Sequence, residues 1–179
     1  MAQVAVYIDG GHLIDAVRGM GASLDMDMMA LARGLAGDDE VAAVHFYYCP
    51  FPEHPYPTKH RNEKAVMARF EAQGVHVHAC RTQIVGSIFV ERGMEAALAA
   101  QMIPDAVAGR FDKALLVSRR VDFAAIVDAV RETRKTVEIA SVEYETDPGN
   151  PLGKACGGYG KIDRARILEV RKGGPKPAF

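Results

Sequence analysis

The chain has 179 residues, 49% hydrophobic and 25% charged, which fits one globular domain with a substantial core. A formal net charge of -1 excludes a global field aimed at nucleic acid or membrane, so any anion-binding surface must be local. No apolar run is long enough to span a membrane and no basic stretch precedes an apolar core at the N-terminus, so a cytoplasmic protein is expected.

QVAVYID (3 to 9) reads as a buried strand ending on an acid, and Leu13, Ile14 and Val17 then recur at helical spacing. A second helix is expected from about Met26 to Leu35, capped by Ser23 or Asp25. VAAVHFYY (41 to 48) is the second strand. The prolines of PFPEHPYPTKHR then predict an extended loop, and NEKAVMARFEAQG a helix stopped by Gly74.

VHVHAC (75 to 80) is the third strand, and TQIVGSIFVERG predicts a hairpin turning at Gly86-Ser87. Residues 94 to 109 form a helix that Pro104 should kink or divide. KALLVS, FAAIVDAVRETR and TVEIASV follow as strand, helix and strand, then a turn-rich DPGNPLG. Gly157-Gly158-Tyr159-Gly160 reads as a turn and ILEV as a last strand. Residues 1 to 170 form the domain, and 171 to 179 a Gly/Pro-rich flexible tail.

Strands alternating with helices imply right-handed crossovers and a mainly parallel sheet of about five strands covered on both faces. Ligands bind such sheets beyond the carboxyl ends of the strands. Asp9 ends the first strand ahead of Gly10-Gly11-His12, and Asp122 follows the fourth after Ser118-Arg119-Arg120-Val121. Two carboxylates at neighbouring strand ends suit a hard divalent cation, which takes oxygen ligands and activates water. Asp is also a favoured helix N-cap, a reading that weighs evenly for Asp122 but less for Asp9, whose strand-end position before a glycine pair favours a ligand role.

VAVYIDGGHL, ERGMEAALAAQM and FDKALLVSRRVDFAAIVDAV resemble, in order, the three motifs of the NYN domain family, relatives of the PIN-domain ribonucleases. The resemblance spans roughly residues 3 to 142 and implies a PIN-like three-layer α/β sandwich with acids converging at the carboxyl edge of the sheet. It further implies RNA cleavage with Mg²⁺ or Mn²⁺, held here by Asp9, Glu95 and Asp122 as the catalytic and metal-binding acids. Glu95 stands where the family usually has Asp. Gln101 and Arg120 replace two further acids, Arg119 a glycine and His12 an asparagine. An arginine cannot ligate a metal but clamps phosphate well, so the pattern resembles a nuclease site rebuilt toward anion binding.

Ser118, Arg119, Arg120 and His12 are therefore candidate substrate contacts, with Ser118 a donor to phosphate or to metal-bound water. Lys59, Arg61 and Lys64, near Tyr47, Tyr48, Phe51 and Tyr56, carry the ingredients of single-strand binding; the alternative is a solvated helix start beside core aromatics. His76, His78 and Cys80 share one strand face, but ligands along a flat strand seldom close the tetrahedron zinc requires. Cys49, Cys80 and Cys156 form no CxxC pair and read as free thiols in a reducing compartment, the first two as small buried apolar residues.

Two functions follow: a metal-dependent ribonuclease, or a catalytically impaired module of the same fold that binds RNA or a nucleotide or recruits a protein. A homodimer through exposed apolar surface fits either. Asp105 and Asp112 are the candidate replacements for the missing carboxylates.

Overall fold

The computed structural model describes residues 1–21, 23–142 and 151–170. Its sheet has six parallel strands: β1 (Gln3–Asp9), β2 (Glu40–Tyr48), β3 (His76–Ala79), β6 (Lys113–Val117), β7 (Thr136–Val142) and β8 (Gly158–Ile162). Their order is β3-β2-β1-β6-β7-β8, which places β1 beside β6 at the centre. The crossovers are α1 (Gly10–Gly19) and α2 (Met28–Ala36), α3 (Pro57–Glu71), α4 (Met94–Val107), α5 (Ala124–Glu132) and α6 (Pro151–Ala155), with α7 (Arg164–Glu169) at the end. A separate antiparallel hairpin, β4 (Arg81–Val85) and β5 (Ile88–Arg92), leads into α4.

Alternation along the strands divides the interior. Val4, Val6 and Ile8 of β1 face one apolar cluster with Leu13, Leu31, Phe70 and Ile167, from α1, α2, α3 and α7. Ala5 and Tyr7 face a second cluster with Leu98, Met102, Val127 and Leu152, from α4, α5 and α6. Burial on both faces is why β1 and β6 read as continuous apolar runs rather than alternating ones. The result is three layers, helix, sheet and helix, around two cores.

Five expectations need correction. α2 starts at Met28 and its cap is Asp27, which accepts from the Ala30 N–H at 2.8 Å, rather than Ser23 or Asp25. The Pro-rich loop ends sooner than its prolines imply: Pro57 opens α3 near its first position, where a missing N–H costs nothing, so Thr58 to Arg61 are helical. Gly158-Tyr159-Gly160 is strand rather than turn, since β8 finds its hydrogen bonds along β7. Ile167 to Glu169 of ILEV are helical and Val170 caps the helix, because Asp163 starts α7 by accepting from the Arg166 N–H at 2.9 Å. Pro104 sits inside α4 without dividing it. The hairpin turns where expected, with Gly86 at φ 63°. The 171–179 tail and most of the DPGNPLG segment lie outside the described residues.

Candidate functional site

Asp9 is the fixed point of the carboxyl edge. It is 3% exposed, and its Oδ1 accepts from the His12 N–H at 3.2 Å, which caps α1. Its Oδ2 accepts from the Ser118 hydroxyl at 2.8 Å, reaching from the end of β6. Ser118 is fully buried and its oxygen in turn accepts from the Arg120 N–H at 3.1 Å. The cap reading of Asp9 is therefore correct, and both carboxylate oxygens already hold a donor.

The glycine pair after Asp9 is steric in origin. A Cβ on Gly10 would stand 2.4 Å from the Tyr47 carbonyl oxygen, so only glycine lets α1 start this close to β2. A Cβ on Gly11 would lie 2.9 Å from Glu91 Oε1 and 3.4 Å from Asp9 Oδ1. Gly11 thus makes room for a second carboxylate beside Asp9.

That second acid, Glu91, comes from β5 of the hairpin. Burial and the neighbouring Asp9 charge push its carboxyl above the usual range, while Arg120 pulls it back. The Arg120 guanidinium lies between two acids, with Nη1 2.7 Å from Glu91 Oε2 and Nη2 2.5 Å from Glu95 Oε1. Burial works against its charge, but Asp9, Glu95 and Glu91 outweigh that and hold the proton more tightly.

These groups surround an open cavity of about 510 Å³ whose lining includes Asp9, His12, Asp15, Glu91, Arg119 and Arg120. A second cavity, of about 630 Å³, shares Gly11, Asp15, Glu91 and Arg120 with it and runs on to Phe51 and Phe89. A third continues past Arg18 and Phe51 to Lys59. The three form one trough along the carboxyl edge.

His12 takes a structural part. Its Nε2 accepts from the Val142 N–H at 3.2 Å, so its ring proton is on Nδ1. Burial, aided by Arg119, lowers its pKa and keeps it neutral. Lys59 stands 4.8 Å from the Phe51 ring and 5.2 Å from Tyr56, with Phe89 packed edge-on against both rings. Arg61 and Lys64 are exposed but turned well away from Lys59 by the helical rotation, so the basic cluster is not one patch. Of the other aromatics, Tyr47 and Tyr48 are buried, and only Tyr48 lines the trough.

The three acids expected to share an ion do not come together as one ligand set. Glu95, in the first turn of α4, is tied to Arg120. Asp122 is exposed on a 3-10 turn (Val121–Phe123), makes no capping bond and is not among the cavity's lining residues. Among the described residues, no three His, Cys, Asp or Glu side chains are grouped to hold a metal ion. The residues present therefore do not fit Mg²⁺ or Mn²⁺ in this arrangement: a guanidinium occupies the space between the carboxylates. A divalent ion about 5 Å from that cation would meet several kcal/mol of repulsion at an effective dielectric of about 20.

The two possible replacements lie elsewhere. Asp105 is buried in the α4 layer, accepting from Tyr7 Oη at 3.0 Å, from Arg110 and from Gln101 Nε2 at 2.9 Å. Gln101 is thereby committed to Asp105. Asp112 accepts from the Gln3 N–H at 3.0 Å, at the opposite end of β1 from Asp9 and roughly 20 Å away at strand rise.

A parallel sheet with a buried acid at the end of its central strand, next to a serine-and-arginine turn, places the molecule among the PIN-like α/β proteins. The chain belongs to the NYN domain family, whose model matches residues 3–163. Among solved structures, a protein of unknown function, VPA0982, from Vibrio parahaemolyticus RIMD 2210633 is similar, with a TM-score of 0.67. It is 15% identical over 91% of this chain and 94% of that one, a likeness of fold. No curated protein matches the chain. Among the described residues, no helix is long and apolar enough to cross a membrane.

Sequence reasoning missed Glu91 and Asp15. Asp15 sits one helical turn beyond Gly11 on α1, a spacing visible in the sequence. Glu91 reaches the cavity only because the hairpin folds back over Gly11, and no local pattern announces that.

Proposed function

We propose that this NYN domain binds RNA along the trough and that its power to cut the phosphodiester is impaired. The observation that carries the reading is Arg120 between Glu91 and Glu95. A permanent cation fills the acidic centre, so the electrostatic role of a divalent ion is taken by a side chain with no lone pair to offer as a ligand.

The rest of the trough supports RNA as the partner. Arg119 lines one end, where a phosphate fits. At the other end Lys59 has no acidic partner among the described residues and lies beside Phe51, Tyr56 and Phe89, the last 40% exposed. An unpaired base stacks on such rings while the lysine meets its phosphate.

A second reading, a metal-dependent ribonuclease, is favoured by one observation. Asp9, Asp15 and Glu91 outnumber Arg119 and Arg120 along the cavity lining, leaving residual negative charge.

Fluorescence polarisation with a labelled single-stranded RNA across a salt series, and a gel assay of the same RNA with millimolar Mn²⁺, separates the two. The first reading expects binding that weakens with salt and no cleavage above background. Cleavage lost in Asp9→Asn establishes the second. Neither binding nor cleavage overturns both.

A further inference from the structure

Three facing pairs run up one face of β2 and β3. His45 stands opposite His76 and Tyr47 opposite His78, the latter rings stacked 4.5 Å apart. The ladder continues one step past its last pair, Tyr48 and Ala79, because the Cys80 N–H donates to the Tyr48 carbonyl at 2.8 Å. That step sets Cys49 beside Cys80, on the same face as Tyr47 and His78. Neighbouring strands lie about 4.8 Å apart, inside the Cα separation of roughly 4.4 to 6.8 Å that a disulfide requires.

The two thiols already interact. The neighbouring Cys49 thiol lowers the Cys80 pKa, while Cys80 and burial raise that of Cys49. Of the two, Cys80 is the thiol favoured to ionise, and Cys49 stands beside it to resolve. Both are free and partly exposed, and Cys49 lines the second cavity, which gives a small oxidant access. Cys156 is the built-in control: it stands between α6 and β8, and burial pushes its thiol up to about 12.

We propose that Cys49 and Cys80 are a peroxide-responsive dithiol that closes to a disulfide at the rim of the trough. The Cys80 thiolate attacks the O–O bond of hydrogen peroxide, forming a sulfenic acid and releasing hydroxide. The Cys49 sulfur then attacks the Cys80 sulfur, forming the S–S bond and expelling the hydroxyl as water with the Cys49 proton. The hydroxide is neutralised by the proton that Cys80 lost on ionising. The two sulfurs lose two electrons, and the peroxide becomes two waters.

The consequence is local and follows from chain order. Cys80 directly precedes β4, so the bond would tie the root of the hairpin bearing Glu91 and Phe89 to the end of β2. This holds whether or not the trough takes RNA.

The test is to treat the full chain with a few equivalents of hydrogen peroxide, alkylate with iodoacetamide, and map the intact mass and tryptic peptides. The unalkylated mass should fall by about 2 Da, with the loss reversed by dithiothreitol. One of the three cysteines should remain alkylatable, and peptide 34–59 should be found linked to peptide 70–81. The oxidised form should melt about 5 °C higher than the reduced one. Cys49→Ser should halt at a Cys80 sulfenic acid trapped by dimedone. Three alkylatable thiols after peroxide, or a link through Cys156, would overturn the proposal. So would a Cys80→Ser variant that consumes peroxide as fast as the parent.

Discussion

Arg120 Nη1 lies 2.7 Å from Glu91 Oε2, joining the turn after the central β6 to a hairpin that approaches from outside the sheet. This pair closes one wall of the first cavity and puts a fixed positive charge beside Asp9. Several measurable consequences follow from it and from the contacts around it.

Removing that charge should make stability depend on pH. Burial and Asp9 already raise the Glu91 carboxyl, and Arg120 opposes both. In Arg120→Ala the folded-state pKa of Glu91 should rise further above its unfolded value. Such a group favours the fold while protonated and opposes it as pH rises through the folded pKa. The variant should therefore match the parent near pH 4 and fall behind by about 1 kcal/mol at pH 8, a modest figure because the pair is partly solvated. Urea unfolding at the two pH values measures this; an equal deficit at both would contradict it.

Ser118→Ala should destabilise at every pH from 5 to 8. Its hydroxyl donates to buried Asp9 at 2.8 Å and accepts from the Arg120 N–H. Loss of one buried partner of a carboxylate costs about 1–3 kcal/mol. A change within 0.5 kcal/mol, roughly the scatter of surface substitutions, would mean that water replaces the hydroxyl there.

Acid should unfold the protein through His45. Burial, then the His76 and His78 charges, lower its pKa to about 4, well below the unfolded value. Between about pH 6.5 and 4 the unfolded chain binds a proton that the folded one refuses, so stability should fall as pH drops through that window. The full effect is on the order of 3 kcal/mol. His12 and His78 are lowered too and act in the same direction. Denaturant midpoints from pH 7.5 to 4.5 should show the slope, and His45→Asn should flatten it; an unchanged slope would assign the proton uptake elsewhere.

RNA affinity should report which cations touch the strand. Lys59→Ala should weaken binding several-fold and reduce the slope of log affinity against log salt by about 0.7, the value for one single-strand phosphate contact. Lys64→Ala should do little, since Lys64 is turned away from Lys59 on α3. Equal losses for both would mean that the exposed face of α3, rather than the trough, holds the strand.

Much of the fold could be read from local pattern. β1 and β6 are uninterrupted apolar runs, and Gly86 marks its hairpin because positive φ suits glycine. The errors came where long-range pairing or capping outweighed composition. β8 contains two glycines and still forms along β7, and α7 is set by Asp163 rather than by the apolar residues after it. At the site, Asp9, Ser118 and Arg120 stand together as their strand-end positions suggested. Asp122 does not join them, because the 3-10 turn carries it to the surface. Glu91 was illegible for the opposite reason: its place beside Asp9 depends on how the hairpin folds back, and no residue spacing encodes that contact.

Calorimetric titration of Mn²⁺ into the native protein and into Arg120→Asp tests most directly whether Arg120 holds the place of a divalent ion. Heat from the native protein should stay at the level of dilution through millimolar metal, while the variant, with a carboxylate in place of the guanidinium, should bind saturably. Saturable binding by the native protein that disappears in Asp9→Asn would contradict this account of the site.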